Sequence, residues 1–439
     1  MRTPLKITIG WLILLFISLF PIYLWFQFGS GAEDFSNYAS TTHSLGEIFG
    51  LVGMTMFALT FMLSTRIRWI ENIFGGLDKV YITHGILGGT ALIMILAHPI
   101  FLVLKFIPTQ TSLAATYLLP SGYWSINFGI IALVGMVALI FITLYSKIKY
   151  HKWKFTHEFL GLMFLLAVFH IFMVRNTISQ DNIFNGYYIY AFIVSCIGLF
   201  GFSYSLFLKN RLFKNSIYSV KSIEQAHDFF EIIISPDHKP LSYKSGQFIF
   251  VRFYNEDVSA EAHPFSIASK SDDDNIRIVV KQLGDYTQKL AHLKVGDKVA
   301  VEGPYGKFNY RKYPQQEQIW IAGGIGITPF IGMAEDLAED KDFTGHVTLF
   351  YSVKNKDELI GDDIFHQVAQ KTQKFSYVPW VSNNQGRIGV KDIYERSGRF
   401  KNKEFFLCGP TPLKESLINA FVKNGVSKKY IHEEIFDFR

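Results

Sequence analysis

Six runs of roughly twenty apolar residues follow one another in the first half of the chain. A bilayer core of ~30 Å takes about 20 residues of helix to cross, so each run is long enough to span it. The runs cover residues 7–28, 45–64, 80–104, 124–146, 156–174 and 187–208. Buried helices of a soluble protein do not come six in succession at this length, and a six-helix transmembrane bundle is expected. The first run lacks a small-residue cleavage site and is read as a retained helix, not a signal peptide. Beyond about residue 215 the sequence reads as an ordinary α/β chain, with the composition changing over residues 209–214. Domain boundaries are therefore expected at 1–210, 211–315 and 316–439.

The formal charge of +6 sits in short clusters between the apolar runs. Arg2 and Lys6 precede the first run, and Arg66, Arg68 and Lys79 lie between the second and third. Lys147, Lys149, Lys152 and Lys154 lie between the fourth and fifth, and Lys209, Arg211 and Lys214 follow the sixth. The opposite loops are poorer in cations, and the first carries Glu33 and Asp34. Membrane topology explains this distribution, so no nucleic-acid partner is needed. Both termini and the soluble half are expected in the cytoplasm. The two cysteines, Cys196 and Cys408, fall in different halves. That excludes a cluster held by four thiolates and argues against a structural disulfide.

Ionisable residues inside a membrane are costly and mark function by default. The third run carries His84 and His98, the fifth His157 and His170. These two helices run in the same direction, so the histidines fall at two matched depths. Neutral imidazole ligates haem iron, and a six-coordinate haem between two helices needs one histidine from each. The pairs His84/His157 and His98/His170 would hold two. At ~1.5 Å per residue, the step from His84 to His98 is roughly 21 Å. Their helical phase is good, about 40° short of four turns. From His157 to His170 the phase misses one face by about 140°. That helix must bend, change pitch, or use different rotamers. His43 and His151, expected at helix ends or in loops, are not taken as ligands. Arg175 has two readings, partner of an outer haem propionate or interfacial anchor.

Residues 216–222, 229–235, 247–253, 276–281 and 298–302 alternate in polarity between turns, the pattern of a small antiparallel β-barrel. From residue 318 strands alternate with helices, as in a parallel α/β sheet. Within the barrel lies His263-Pro264-Phe265-Ser266, whose hydroxyl could reach a flavin ring edge. Lys281 precedes Gly284-Asp285-Tyr286-Thr287, which opens a helix, and free N–H groups there suit a pyrophosphate. The segment Gly323-Gly324-Ile325-Gly326-Ile327-Thr328-Pro329 joins a strand to a helix and reads as a phosphate-cradling turn for a dinucleotide. It is not the GxGxxG fingerprint. Cys408-Gly409-Pro410 ends another strand, where ligands of open α/β sheets bind. Cys408 either borders a nicotinamide or is a buried, inert thiol. Ser352, Lys354 and Lys356 follow a strand where an adenosine 2′-phosphate could sit, which would favour NADPH over NADH. A solvated charged loop is the other reading.

Taken together, these residues resemble the NADPH oxidase and ferric reductase family over nearly the whole chain. The resemblance implies a ferric-reductase-type bundle with two b-type haems on His84, His98, His157 and His170. It implies ferredoxin–NADP reductase-like flavin and nucleotide domains. His263 to Ser266 matches the flavin motif, usually ending in Thr, and Gly284 to Thr287 matches the FAD pyrophosphate segment. Gly323 to Pro329 and Cys408 to Pro410 match the NAD(P)H motifs. The family often ends in an aromatic that covers the flavin; Phe436 is first choice here and Phe438 second. No EF-hand ligands occur, and after His98 the chain continues Pro99-Ile100-Phe101-Leu102 without a second histidine. The compact form resembles bacterial members, implying a multi-pass protein of a bacterial plasma membrane.

The implied function is transfer of electrons from cytosolic NAD(P)H through FAD and two haems to an outside acceptor. Ser266, Cys408 and Phe436 would attend the hydride step. Oxygen, giving superoxide, is the first acceptor considered. A ferric chelate, or a partner protein fed by an electron-relay subunit, are the alternatives.

Overall fold

A computed structural model describes residues 4–28, 35–107, 110–146, 148, 150–174, 186–208 and 216–434. The chain divides into two compact units that part at Arg211 and Leu212.

The first unit is helical. Its helices are α1 (Pro4–Phe28), α2 (Tyr38–Leu63), α3 (Arg68–Phe74), α4 (Leu77–Leu104), α5 (Thr111–Leu118), α6 (Trp124–Tyr145), α7 (Tyr150–Glu158), α8 (Leu160–Met173) and α9 (Gly186–Ser203). Among the described residues six helical segments are long and apolar enough to cross a membrane, with α7 and α8 forming the fifth. Their outward faces carry exposed Leu12, Phe16, Ile93, Val134, Phe141 and Phe192. Such side chains are at home against lipid tails, so packing inside the bundle, not apolar transfer, holds the helices together. At its centre Phe164 is fully buried, its ring 5.4 Å from Phe57 and 5.1 Å from Phe61.

Helix α2 begins seven residues before the expected run. Asn37 accepts the Ser40 N–H through its side chain while the Ser40 hydroxyl faces the Asn37 backbone, a reciprocal cap that starts the helix early. His43 therefore lies inside α2 and not at its end. The fifth span relieves part of the phase mismatch of its histidines at Phe159. There the Phe159 N–H reaches the Thr156 carbonyl (3.2 Å), and the Leu162 N–H reaches the Phe159 carbonyl (3.0 Å). These i to i+3 bonds overwind the helix, each such residue turning about 20° further than in an α-helix.

The second unit contains two sheets. Strands β1 (Ile217–Ala226), β2 (Phe229–Pro236), β3 (Phe248–Tyr254), β4 (His263–Ser266), β5 (Ile276–Lys281) and β6 (Lys298–Tyr305) form an antiparallel sheet ordered β4-β3-β6-β1-β2-β5. Along β2, Phe230, Ile232 and Ile234 point inward and are buried, the period-two pattern of a barrel wall. Just past β4, the Ala268 N–H donates to the Arg277 carbonyl in β5 at 2.8 Å and draws the two edges together.

The remaining strands are β7 (Gln318–Gly323), β8 (Val347–Val353), β9 (Phe375–Val381), β10 (Glu404–Cys408) and β11 (Ile431–Glu433), in a parallel sheet ordered β11-β10-β7-β8-β9. Besides a single helical turn at Ser382–Gln385, the α-helices of this unit are α10 (Asp285–Lys289), α11 (Thr328–Glu339), α12 (Asp362–Lys371), α13 (Val390–Ser397) and α14 (Thr411–Lys423). Strand β7 is buried throughout, as expected of a parallel strand covered on both faces. Strand β9, with Pro379 inside it, gives no clear strand signal in the sequence. It survives because it is an edge strand, where a missing N–H breaks no ladder. Helix α11 packs on the barrel: Arg277 pairs with Glu335 at 2.5 Å, and Ser271 donates twice to Asp336 at 3.0 Å.

Candidate functional site

The four membrane histidines meet in the pairs read from the sequence. The rings of His84 and His157 have centroids 6.1 Å apart, and so do those of His98 and His170. Each Nδ1 is engaged. His84 Nδ1 lies 2.9 Å from the Thr60 carbonyl, His98 Nδ1 2.8 Å from that of Gly46, and His170 Nδ1 2.7 Å from that of Ser125. A carbonyl only accepts, so these three Nδ1 atoms carry the proton. His157 Nδ1 lies 3.2 Å from the Thr143 hydroxyl, whose own proton goes to the Leu139 carbonyl, so Thr143 accepts as well. In all four rings Nε2 is thereby left with a lone pair, and the ring is held by its other nitrogen, as metal-binding imidazoles are.

The ring separation also fits. With metal–imidazole bonds of ~2 Å and ring radii of about 1.1 Å, an ion bonded midway between two Nε2 atoms puts the centroids roughly 6 Å apart. Close approach of neighbouring helices to the outer pair depends on two glycines. A Cβ at Gly50 would stand 2.6 Å from His98 Nδ1, and one at Gly129 would stand 2.8 Å from His170 Nδ1. Trp153 stacks on His157 at 5.5 Å and 19°.

In the second unit the strand order reverses between β7 and β10, and ligands of open α/β sheets bind at the carboxyl ends there. Register places Ala322 opposite Cys408, and Gly323 opposite Ser352. The two motifs, more than eighty residues apart, touch. A Cβ on Gly326 would lie 2.4 Å from the Cys408 carbonyl oxygen, and one on Gly409 2.9 Å from the Gly323 nitrogen. Gly409 has φ +153°, a conformation other residues rarely adopt. Gly324 opens the turn, the Thr328 hydroxyl donates to the Ile325 carbonyl (3.0 Å), and Pro329 sits in the first turn of α11, where a missing N–H costs nothing. Pro410 sits beside Gly323 and leads into α14. Lys354 is exposed just past β8.

Cys408 is 1% exposed and belongs to the core under the sheet. Burial pushes its thiol well above the ordinary range, the nearby Glu434 carboxylate adds to this, and Lys414 opposes it. It is therefore a thiol and not a thiolate at neutral pH. Glu434, itself buried, has no sequence signature of its own. Lys414 donates to its carbonyl at 2.6 Å.

On the barrel, Ser266 Oγ is buried with no hydrogen-bond partner among the described residues. Such an atom is costly unless something bonds it. Pro264 and Phe265 hold their places in β4 opposite Phe250 and Ile249. His263 stacks on Tyr286 with centroids 3.6 Å apart, joining the flavin-like motif to the segment at Gly284. Burial raises the Tyr286 phenol above its usual range. The Thr287 hydroxyl is used within its own turn, accepting from the N–H groups of Leu283 and Gly284 at 3.0 Å. Lys281 pairs with Asp228 at 2.9 Å. Arg175, Phe436 and Phe438 lie outside the described residues.

Comparison with known proteins matches three regions of the chain. A ferric reductase like transmembrane component matches residues 49–168, an FAD-binding domain 212–309, and an oxidoreductase NAD-binding domain 320–417. In this order the three domains give an architecture like that of NADPH oxidases and ferric reductases. It is a multi-pass membrane protein whose second half matches an FAD-binding domain and an oxidoreductase NAD-binding domain.

Among its relatives, the reductase component of a phenol 2-monooxygenase from Pseudomonas sp. (strain CF600) is 31% identical over 45% of this chain. A respiratory burst oxidase homolog from Solanum tuberosum is 26% identical over 54% of it. The alignments span 59% and 27% of those two proteins. A flavohaemoglobin from Malassezia yamatoensis aligns over 91% of this chain and 99% of its own, at 16% identity and a TM-score of 0.50, a likeness of fold alone.

Proposed function

We propose that this oxidoreductase carries electrons from cytosolic NAD(P)H across a membrane to an acceptor on the far side, with oxygen the first acceptor, reduced to superoxide. One observation carries the reading: two histidine pairs, each with ring centroids 6.1 Å apart and every Nδ1 engaged, share a chain with a dinucleotide crevice. In it His84 with His157, and His98 with His170, hold b-type haems at two depths. When bound, FAD supplies the change from two-electron hydride to single electrons, and the haems supply one-electron stations within the bilayer.

The chain's own residues bind, orient and exclude water. Gly323, Gly324, Gly326 and Gly409 let backbone approach the dinucleotide phosphates at the carboxyl ends of β7 and β10. Ser352 and Lys354 suit the adenosine 2′-phosphate. Ser266 offers its unpartnered hydroxyl to the flavin ring, with His263, Pro264 and Phe265 shaping the wall. Lys281, Gly284 and Thr287 attend the pyrophosphate. Cys408 packs beneath the nicotinamide as a neutral thiol, and Phe436 covers the flavin. The cations Arg66, Arg68, Lys79, Lys152 and Lys154 lie at one set of helix ends and favour cytoplasmic termini.

Purified protein supplied with NADPH tests this. Reduction of cytochrome c that superoxide dismutase abolishes supports oxygen as acceptor; fast turnover only with ferric chelates points to a ferric reductase. A relay feeding a partner protein is the second reading, favoured by the 31% identity to a monooxygenase reductase component. Haem reduction without turnover on either acceptor would support it.

A further inference from the structure

Beside the outer histidine pair lies a chain of polar groups that the reading above does not use. Glu47, within α2, follows Gly46, whose carbonyl accepts the His98 Nδ1–H. The Trp25 indole of α1 donates to Glu47 Oε2 at 3.1 Å. His43 Nε2 lies 3.3 Å from Glu47 Oε1, and Lys105 Nζ lies 3.1 Å from His43 Nδ1. An ammonium can only donate, so Nδ1 accepts and neutral His43 carries its proton on Nε2, aimed at the carboxylate. One imidazole thus bridges a half-exposed ammonium and a carboxylate that is 15% exposed. The Lys105 amine is held over the rings of Phe106 and Tyr117, at 4.9 and 5.6 Å.

An imidazole with one nitrogen accepting and the other donating can pass a proton without moving. A carboxylate in a membrane is expensive unless it is compensated or used. Glu47 is contacted by Trp25 from α1 and His43 from its own helix, and its charge acts on His98 of α4 and on Lys105 at the end of that helix. Adding an electron between His98 and His170 adds negative charge near a carboxylate in a medium that screens poorly.

Resting on the proposal that His98 and His170 hold a redox group, we propose that Glu47 takes up one proton for each electron entering that site, through His43. In this step Lys105 gives a proton to His43 Nδ1 and is reprotonated from water. His43 Nε2 releases its proton to Glu47 Oε1, forming the carboxylic acid. When the electron leaves to the acceptor, the proton returns by the same path, so charge and protons balance over the cycle.

The test is optical redox titration of the full haem-loaded chain between about pH 6 and pH 8.5. One of two components should fall by about 59 mV per pH unit, one proton per electron. Glu47→Gln should flatten that slope, and Glu47→Asp should retain it. His43→Gln should leave the equilibrium slope but slow re-equilibration after a pH jump at least tenfold. A flat slope in the parent chain, or an unchanged slope in Glu47→Gln, overturns the proposal. If Glu47→Gln fails to load haem, an unaltered pH-jump rate in His43→Gln overturns it instead. A parent chain without a Soret band defeats the haem reading itself, a result distinct from these.

Discussion

The carbonyl oxygen of Cys408 packs against the Cα of Gly326, leaving no room for a side chain between β10 and the turn after β7. The neighbouring atoms are backbone, so any Cβ at residue 326 must move a strand end or the turn. Overpacking of this kind costs about 1–3 kcal/mol. Gly326→Ala should weaken NADPH binding roughly tenfold or more, read as the half-saturating NADPH concentration for anaerobic flavin reduction. Gly284→Ala, where an added Cβ meets nothing within 4 Å, should leave thermal stability unchanged. Equal effects at the two positions would count against the crevice.

His98→Ala removes one partner of the outer pair while leaving the nucleotide unit untouched. Haem content by pyridine haemochrome should fall by about half, and flavin reduction by NADPH should survive. Electron delivery to the far side should stop. Unchanged haem content would reject the assignment of His98.

Ser266→Ala deletes a buried hydroxyl that makes no hydrogen bond among the described residues. Folding stability of the flavin-free protein should change by no more than about 0.5 kcal/mol, or rise. Flavin affinity or its rate of reduction should drop roughly tenfold, and Ser266→Thr should restore it. A large loss of stability with normal flavin chemistry would assign the hydroxyl to the fold instead.

Cys408 should resist thiol reagents. Its raised ionisation range leaves little thiolate at pH 8, and burial blocks access. Mass spectrometry after iodoacetamide treatment should show residue 408 unmodified in the native chain and modified in denaturant. Rapid native labelling would mean a reactive thiol at the crevice.

The membrane histidines were legible because an imidazole in an apolar run is conspicuous and the matched depths follow from residue counting alone. The glycine turn and the Cys408 segment were legible as separate strand ends, while their contact required the order of five strands. Strand β9 escaped because Pro379 lowers its signal, and the seven-residue extension of α2 escaped because it rests on one cap at Asn37. The links among Glu47, His43, Lys105 and Trp25 join residues from three distant helices, and no local pattern encodes them. Glu434 gained meaning only from the buried thiol and lysine around it.

Three of the four imidazoles are oriented by peptide oxygens, those of residues 46, 60 and 125. No side-chain replacement can delete such an acceptor. Drift at Thr60 or Ser125 would therefore leave ligand protonation intact so long as α2 and α6 keep their helical path. Among the four orienting acceptors only the Thr143 hydroxyl can be deleted by a single side-chain change.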